Sequence, residues 1–400
     1  MSHRHQTTHI QKARMRFLLL LHSAAAFLRF ANTKYGECTS VNESLECRGG
    51  VDSELKARIY EEEVESKEEE VLFDHDSVPS KPNIVSFNPS PKYGLIMMDC
   101  FCPFHGTYLI DAALNLYGVA IIDVLSGYIA EGLYRGDGIE EHLPSRIPNI
   151  GKEEEWMKDV TFQILGVHCE SDAGLPSAER LGVALGLHPD RHHGKNRARR
   201  DKFLMNAAAS KHGLLTVLQS MCATLEEAVL FATELGVTNE VGNDGKRCVL
   251  KPVRGVASDG VFLCQSLSDV RDAYEQIRGK AVYGSPTEKY EQVLVQEFAI
   301  GTEYAVDIVS KAGEHKVAAL WKYDKRPVND APFVYHGTML ANTSAEEGRA
   351  ACEYAMAALD AVEVKWGLSV RYLRCHRFYG SCMIVTTQFI IWLYFYSMLK

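Results

Sequence analysis

The sequence predicts an α/β protein in which a Rossmann-like domain precedes a second, α+β domain. Between residues 94 and 187, short apolar runs alternate with helix-like stretches, which is typical of a parallel sheet built from βαβ units. From residue 201 onwards, helices alternate with strands that are separated by glycine turns, and no internal repeat is evident. A chain of 400 residues with 46% hydrophobic content has room for two or three domains and a sizeable core.

Residues 1–85 are predicted to be a leader followed by an acidic, disordered linker. Arg14 and Arg16 precede an apolar run over residues 17–30, as in a signal peptide, and no acidic residue occurs before Glu37, as in an organelle transit peptide. A targeting segment and a non-functional extension both stay open, so the expected location is cytoplasmic or organellar. Seven glutamates between residues 61 and 70 favour a solvated linker.

The Rossmann-like domain is predicted to cover residues 86–195. The expected elements are a strand at 95–98, a helix at 107–117, a strand at 119–125, a strand at 160–165 and a helix at 176–187. Gly118 follows the first helix as a C-cap. Because no G-x-G-x-x-G motif occurs, dinucleotide binding has no support here.

Two groups of side chains in this domain are weaker candidates for a site. Asp99 and His105 follow the first strand, where a ligand could bind at a switch point of the sheet. His188, His192 and His193 lie in a linker with Pro and Gly, for which a solvated loop is favoured over a metal site.

The second domain is predicted to cover residues 196–369. Its expected helices lie at 202–212, 225–235, 267–277 and 346–359, and its expected strands at 248–252, 261–264, 292–298, 303–310 and 316–323. Thr224 with Glu227 three residues on is a capping-box signal for the start of the second of these helices.

Four short motifs follow one another in this second domain. Residues 200–202, Arg-Asp-Lys, open a helix, and a strand that ends at Lys251-Pro252 leads into a glycine-bearing loop over 254–261. A strand that ends in Glu297-Phe298 leads to a turn at Gly301 and then Glu303. The fourth motif is Tyr-Asp-Lys-Arg-Pro at residues 323–327.

This order of motifs suits a nucleoside triphosphate. Lys202 and Lys251 can neutralise phosphate oxygens, and the loop glycines let backbone N–H groups approach phosphate closely. Glu303 suits bidentate hydrogen bonding to ribose hydroxyls, and Lys325 and Arg326 supply positive charge where charge develops during phosphoryl transfer. Each motif alone also fits an ordinary strand end or solvated turn, so the prediction depends on their joint order and spacing.

From Gly94 to Ser369 the motifs resemble the ATP-grasp superfamily, and most closely its carboxylate–amine ligases, in which a pre-ATP-grasp domain of Rossmann type precedes the grasp. The resemblance implies that ATP activates a carboxylate as an acylphosphate, which an amine then attacks to form an amide. It also implies an ATP site. The implied binding residues are Lys202, Lys251, Ser258, Asp259, Gly260, Glu297, Phe298 and Glu303, with Lys325 and Arg326 as the catalytic pair.

The chain departs from the family pattern after Ser369. Family members continue with acids and an asparagine that hold magnesium, whereas this chain has no Asp, Glu or Asn beyond Glu363. The resemblance therefore implies ATP and Mg²⁺, but with the ligands of the metal missing. We expect an ATP-grasp domain that is incomplete at its C-terminal end and a divergent apolar tail over 370–400, most simply from an unspliced intron or a frameshift. A membrane tail over 383–399 and a pseudoenzyme that keeps nucleotide without catalysis are the alternatives.

The net charge and the cysteine content limit which partners, disulfides and metal sites are expected. The formal net charge of -9 gives no electrostatic reason to expect nucleic acid. The eleven cysteines are too scattered for a disulfide framework, and a zinc site at Cys100 and Cys102 is disfavoured because no C-x-x-C pair occurs. The expected partners are ATP, a small carboxylic acid or amino acid, and an amine.

Overall fold

The structure is a computed structural model, and it describes residues 81–100, 106–134, 145–187, 197–239, 246–255, 259–282, 288–328, 331–376 and 381–388. The predictions for the leader, the acidic run at 61–70, His105, the three linker histidines and Ser258 lie outside these residues. The last residues of the predicted disordered linker, 81–85, are described, and Asn83–Val85 form a strand there.

The described part contains fourteen strands and eight α-helices. The strands are β1 Asn83–Val85, β2 Tyr93–Met98, β3 Ala120–Leu125, β4 Ser145–Arg146, β5 Gln163–Cys169, β6 Gln219–Cys222, β7 Cys248–Lys251, β8 Phe262–Cys264, β9 Val293–Glu297, β10 Thr302–Lys311, β11 Glu314–Val328, β12 Ala331–Leu340, β13 Gly367–His376 and β14 Ser381–Gln388. The helices are α1 Thr107–Tyr117, α2 Gly127–Tyr134, α3 Glu153–Met157, α4 Leu175–Ala184, α5 Lys202–Lys211, α6 Leu225–Glu234, α7 Leu267–Ile277 and α8 Glu346–Ala361.

The first sheet confirms the predicted βαβ architecture. Strands β2, β3, β4 and β5 run parallel, and β1 adds an antiparallel edge. The order β1-β3-β2-β5 places β5 on the opposite side of β2 from β3, so the switch point of the sheet lies between β2 and β5. Asp99 follows β2 there and accepts hydrogen bonds from the hydroxyls of Ser126 at 2.9 Å and Ser171 at 2.5 Å. The polar residues that follow β2, β3 and β5 thus meet at the buried carboxylate of Asp99.

Two antiparallel sheets form the rest of the chain. A four-stranded sheet in the order β6-β9-β7-β8 carries α6 and α7, and a five-stranded sheet in the order β12-β11-β10-β13-β14 carries α8. One apolar core joins the parallel sheet to the five-stranded sheet, with members such as Ile96 on β2, Val306 on β10 and Ala355 on α8. A second core fills the space between the four-stranded sheet and its helices.

The strand β13 continues the five-stranded sheet beyond the predicted end of the second domain. Its residues pair antiparallel with β10 from Gly367 opposite Ser310 to Cys375 opposite Thr302. The backbone of β14 then pairs with β13, from His376 opposite Ser381 to Val370 opposite Gln388. The expected division between Ser369 and Val370 therefore falls inside a strand, and residues 389–400 of the expected tail lie outside the described residues.

Several elements did not appear among the sequence predictions. They include the edge strands β1 and β12, the strand β6, and the helices α2 and α3. The strand predicted at 160–165 begins three residues later, at Gln163, and extends to Cys169. None of the described helices is long and apolar enough to cross a membrane.

Candidate functional site

Lys202 is placed by the start of helix α5. The carboxylate of Asp201 caps this helix, accepting hydrogen bonds from the backbone N–H groups of Phe203 at 2.9 Å and Leu204 at 3.0 Å. The Lys202 ammonium is buried and donates to the carbonyl oxygen of Gly255 at 3.0 Å, at the beginning of the predicted flap. Burial is the main cause that lowers its pKa to about 8.

Lys251 is the last residue of β7, and only 2% of it is exposed. Burial lowers its pKa well below the ordinary lysine value, and the positive charges of Lys202 and Arg374 lower it further, while Glu303 acts in the opposite direction. Because the positive charges of these two buried lysines repel each other, the site favours an anion that binds near both.

Glu303 lies on β10 in the five-stranded sheet, interacts electrostatically with Lys251, and binds two cations. Its Oε1 accepts a hydrogen bond from the Lys325 ammonium, and its Oε2 lies 3.2 Å from a guanidinium nitrogen of Arg374. All three side chains are at least 87% buried. The Lys325 ammonium also lies 4.3 Å from the ring centroid of Tyr335.

The predicted hinge follows β9. Glu297 is exposed, and its backbone N–H and carboxylate both bind the backbone of Leu218, at 2.9 and 3.2 Å. Phe298 belongs to the connection from β9 to β10, and two guanidinium groups approach its ring, with the Arg247 carbon 5.1 Å and the Arg374 carbon 5.2 Å from its centroid. Arg374 also donates to the carbonyl of Ala299 at 3.1 Å, so it touches both the hinge and Glu303.

The described ends of the predicted flap are fixed to their surroundings. Arg254 binds the carboxylate of Glu288, and its carbonyl accepts from the hydroxyl of Tyr290 at 2.7 Å. Gly260 has φ +65°, and a Cβ there would lie 3.3 Å from the Pro252 ring, so a side chain at this position is strained as well as crowded. Asp259 is exposed, and Ser258 lies outside the described residues.

The two predicted catalytic residues have different surroundings. Lys325 binds Glu303 inside the site, whereas Arg326 is exposed and forms a two-pronged ion pair with Asp324, at 2.9 and 2.7 Å. This pair raises the pKa of Arg326 and lowers that of Asp324. The structure thus brings together Lys202, Lys251, Glu303 and Lys325, and it leaves the side chain of Arg326 at the surface.

Arg374 and Arg247 were not predicted from the sequence as residues of the site. Arg374 belongs to the segment that was predicted as a divergent tail, and its contribution depends on β13 pairing with β10, which places it opposite Glu303. Arg247 immediately precedes β7 and contacts a ring fifty-one positions away along the chain. A strand-like alternation continuing past Ser369 was the one signal that could have indicated Arg374.

Residues 245–366 match the model of the ATP-grasp domain. The chain carries an ATP-grasp domain. Dapdiamide A synthase from Enterobacter agglomerans is 28% identical to this chain over 172 residues, which are 43% of the chain and 38% of the synthase. The matched region therefore spans less than half of the length of that relative.

Solved structures share the fold of this chain. An L-amino acid ligase from Bacillus licheniformis superposes with a TM-score of 0.51 and 17% identity, over 76% of this chain and 67% of the ligase. A biotin carboxylase from Campylobacter jejuni, in a complex with β,γ-ATP, superposes with a TM-score of 0.51 and 12% identity, over 74% of this chain and 65% of the carboxylase. At these identities the likeness concerns the fold.

The resemblance of the sequence to ATP-grasp ligases also implied Mg²⁺, and the donor groups of the site do not fit it. Within the described ranges, no three His, Cys, Asp or Glu side chains come close enough together to hold a metal ion. Glu303, the carboxylate next to Lys251, has one oxygen bound by Lys325 and the other by Arg374. Mg²⁺ is a hard cation that binds carboxylate oxygens, so a site so occupied by cations is a poor place for it.

Proposed function

We propose that this chain binds ATP between the four-stranded and five-stranded sheets and uses it to join a small carboxylic acid or amino acid to an amine. The observation that carries the proposal is the convergence of two buried lysines, Lys202 and Lys251, on one cleft that also contains Glu303 and the hinge residue Phe298. Buried ammonium groups are costly, and a polyphosphate that binds between Lys202 and Lys251 offsets that cost. The match to the ATP-grasp domain and the likeness to dapdiamide A synthase support the same assignment.

In the proposed reaction, a carboxylate oxygen attacks the γ-phosphorus, and the bond from that phosphorus to the β–γ bridging oxygen breaks, which releases ADP. The amine nitrogen then attacks the carbonyl carbon of the acylphosphate, inorganic phosphate leaves, and the nitrogen loses a proton to solvent. Lys202 and Lys251 hold the phosphates and Lys325 stabilises the charge on the transferred group, so the protein contributes mainly positioning and charge. Glu303 orients the ribose and keeps Lys325 in place.

The test is ADP production by the full chain with ATP and each amino acid in turn, with and without an added amine, combined with mass spectrometry for the amide. We expect ADP formation that depends on the acid, and its loss in Lys251→Ala. The matched control is Lys280→Ala, since Lys280 is exposed and lies in the four-stranded lobe away from the cleft. If no acid and amine produce ADP or amide, the ligase proposal fails.

A second candidate is a protein that binds ATP without turning it over. The occupied state of Glu303 and the poor fit to Mg²⁺ favour it. It predicts ATP binding that is lost in Lys251→Ala, with no release of phosphate under any combination of acid and amine. The same set of assays therefore separates the two candidates.

A further inference from the structure

The cleft around Lys251 contains more positive than negative side chains. Among the described residues, five cations and three carboxylates interact electrostatically at Lys202, Lys251 or Glu303. The cations are Arg200, Lys202, Lys251, Lys325 and Arg374, and the carboxylates are Asp172, Asp201 and Glu303. Asp201 already accepts two backbone hydrogen bonds as a helix cap, and both oxygens of Glu303 bind cations. Positive charge is therefore left over where the phosphates of a nucleotide would lie.

Arg374 offers a hydrogen-bond donor that the described residues do not use. Its Nη1 donates to the carbonyl of Ala299 and its Nη2 to Glu303, but its buried Nε has no acceptor in the described part of the chain. A buried donor without an acceptor is unfavourable, so the site is complete only when an oxygen reaches this nitrogen. The planar guanidinium matches phosphate oxygens well.

Positive side chains thus stand where a metal would be needed to neutralise a polyphosphate. A divalent cation would have to enter a cleft with a surplus of positive charge and find carboxylate oxygens that already bind Lys325 and Arg374. Such a cation is repelled, whereas the free polyanion is attracted more strongly than its magnesium complex, because it carries two more negative charges.

We propose that this site takes its nucleoside polyphosphate as a metal-free polyanion, with the guanidinium of Arg374 in contact with the phosphates in place of a divalent cation. The inference depends on the nucleotide-binding part of the proposed function and not on amide formation. It assigns a binding role to β13, a strand that the ATP-grasp motifs of the sequence did not cover.

The test is calorimetric titration of the full chain with ATP in EDTA and, separately, in excess MgCl₂. We expect ATP in EDTA to bind at least as tightly as in MgCl₂, and inorganic tripolyphosphate in EDTA to bind as well. Binding that occurs only with MgCl₂ overturns the inference but leaves the proposed ATP site standing. If ATP binds under neither condition, the proposed function fails together with it.

Substitution of Arg374 sharpens the test. Arg374→Gln should weaken the binding of ATP in EDTA about ten- to hundredfold, the usual scale for a charged hydrogen bond. Arg374→Lys, which keeps the charge without the planar fork, should lose less affinity and guards against a glutamine variant that fails to fold. Arg349→Gln is the control, because Arg349 is exposed on α8. An Arg374→Gln protein that is folded and binds ATP in EDTA as tightly as wild type contradicts the inference.

Discussion

Lys202 holds its proton more weakly than an ordinary lysine, with a pKa of about 8 that is due mainly to burial. Its side chain is therefore charged below pH 8 and largely neutral above it, whereas an exposed lysine stays charged to beyond pH 10. A phosphate contact made by Lys202 must fade over a pH range in which other lysines are unaffected.

We expect the affinity for ATP to fall by about tenfold at most through this lysine as the pH rises from 7 to 9. Lys202→Arg keeps its charge at every pH in this range, because guanidinium groups do not lose their proton there. The measurement is the dissociation constant of ATP at pH 7, 8 and 9 for both proteins. Equal slopes in wild type and Lys202→Arg would show that Lys202 does not contact the nucleotide.

A substitution of Glu303 distinguishes recognition of the ribose from recognition of the phosphates. Glu303→Gln removes an acceptor for the ribose hydroxyls and also removes the one negative charge between Lys325 and Arg374. We expect ATP to bind the variant about tenfold more weakly, and both 2′,3′-dideoxy-ATP and tripolyphosphate to bind the variant more tightly than the wild type. Glu275→Gln, at an exposed position on α7, serves as the control. Equal loss for ATP and dideoxy-ATP would rule out a ribose contact.

The sequence motifs named four residues that the structure brings together. Lys202, Lys251, Glu303 and Lys325 were predicted individually, and the structure brings them to one cleft. A motif lists residue types in chain order, but the partner of a charged group depends on pairing between distant strands. That is why the bond between Arg374 and Glu303, 71 residues apart, had no local signal.

Helix α6 shows an element whose start the sequence determines locally. The hydroxyl of Thr224 accepts from the backbone N–H of Glu227 at 3.3 Å, and the Glu227 carboxylate accepts from the backbone N–H of Thr224 in return, which confirms the predicted capping box. Such boxes are predictable because both partners lie within four residues.

Removal of this cap should cost stability without affecting the cleft. Thr224→Ala should lower the free energy of unfolding by about 1 kcal/mol, since it leaves a helix N–H without its acceptor. Thr233→Ala, in the last turn of the same helix, is the control and should change it by less than about 0.5 kcal/mol. Urea unfolding followed by circular dichroism measures both. Equal losses would mean that the cap does not stabilise α6.

Edge strands were harder to predict than helices. The residues of β12 carry no strict alternation of apolar and polar side chains, and Tyr335, Met339 and Leu340 are exposed. This strand forms because β11 offers it a backbone edge from Trp321 to Val328. The pairing therefore depends on an element elsewhere in the chain. The strand propensity of the residues in a local stretch of sequence carries no information about that element.

At the scale of the whole molecule, Arg199 ties the parallel-sheet domain to the ATP-grasp domain. It is 2% exposed, donates to the carbonyls of Val362 at 3.1 Å and Glu363 at 2.7 Å beyond the end of α8, and lies 3.8 Å from the carboxylate of Glu179 on α4. The two domains also share one apolar core. The domain arrangement was predicted from the resemblance to a family. This ion pair joins segments that are distant in the sequence, so it was not predicted.

Glu179 makes the joint between the domains sensitive to pH. Burial is the main cause that raises its pKa from 4.5 to about 7, although the charges of Arg199 and Arg200 act in the opposite direction. Between pH 4.5 and 7 the folded protein keeps a proton on this carboxyl that the unfolded chain has released. Because the folded state binds more protons there, the contribution of Glu179 to the free energy of unfolding decreases as the pH rises through this interval.

Glu179→Gln should therefore remove a loss of stability that wild type shows between pH 5 and 7.5. The amide is similar in shape to the protonated carboxyl and does not titrate, so the difference between the two proteins should grow in favour of the variant as the pH rises. Urea unfolding at pH 5, 6 and 7.5 measures it, with Glu234→Gln as a control at an exposed position on α6. If the variant instead loses stability relative to wild type at pH 7.5, then the ionised carboxylate stabilises the joint, and the attraction of Arg199 outweighs the cost of burying the charge.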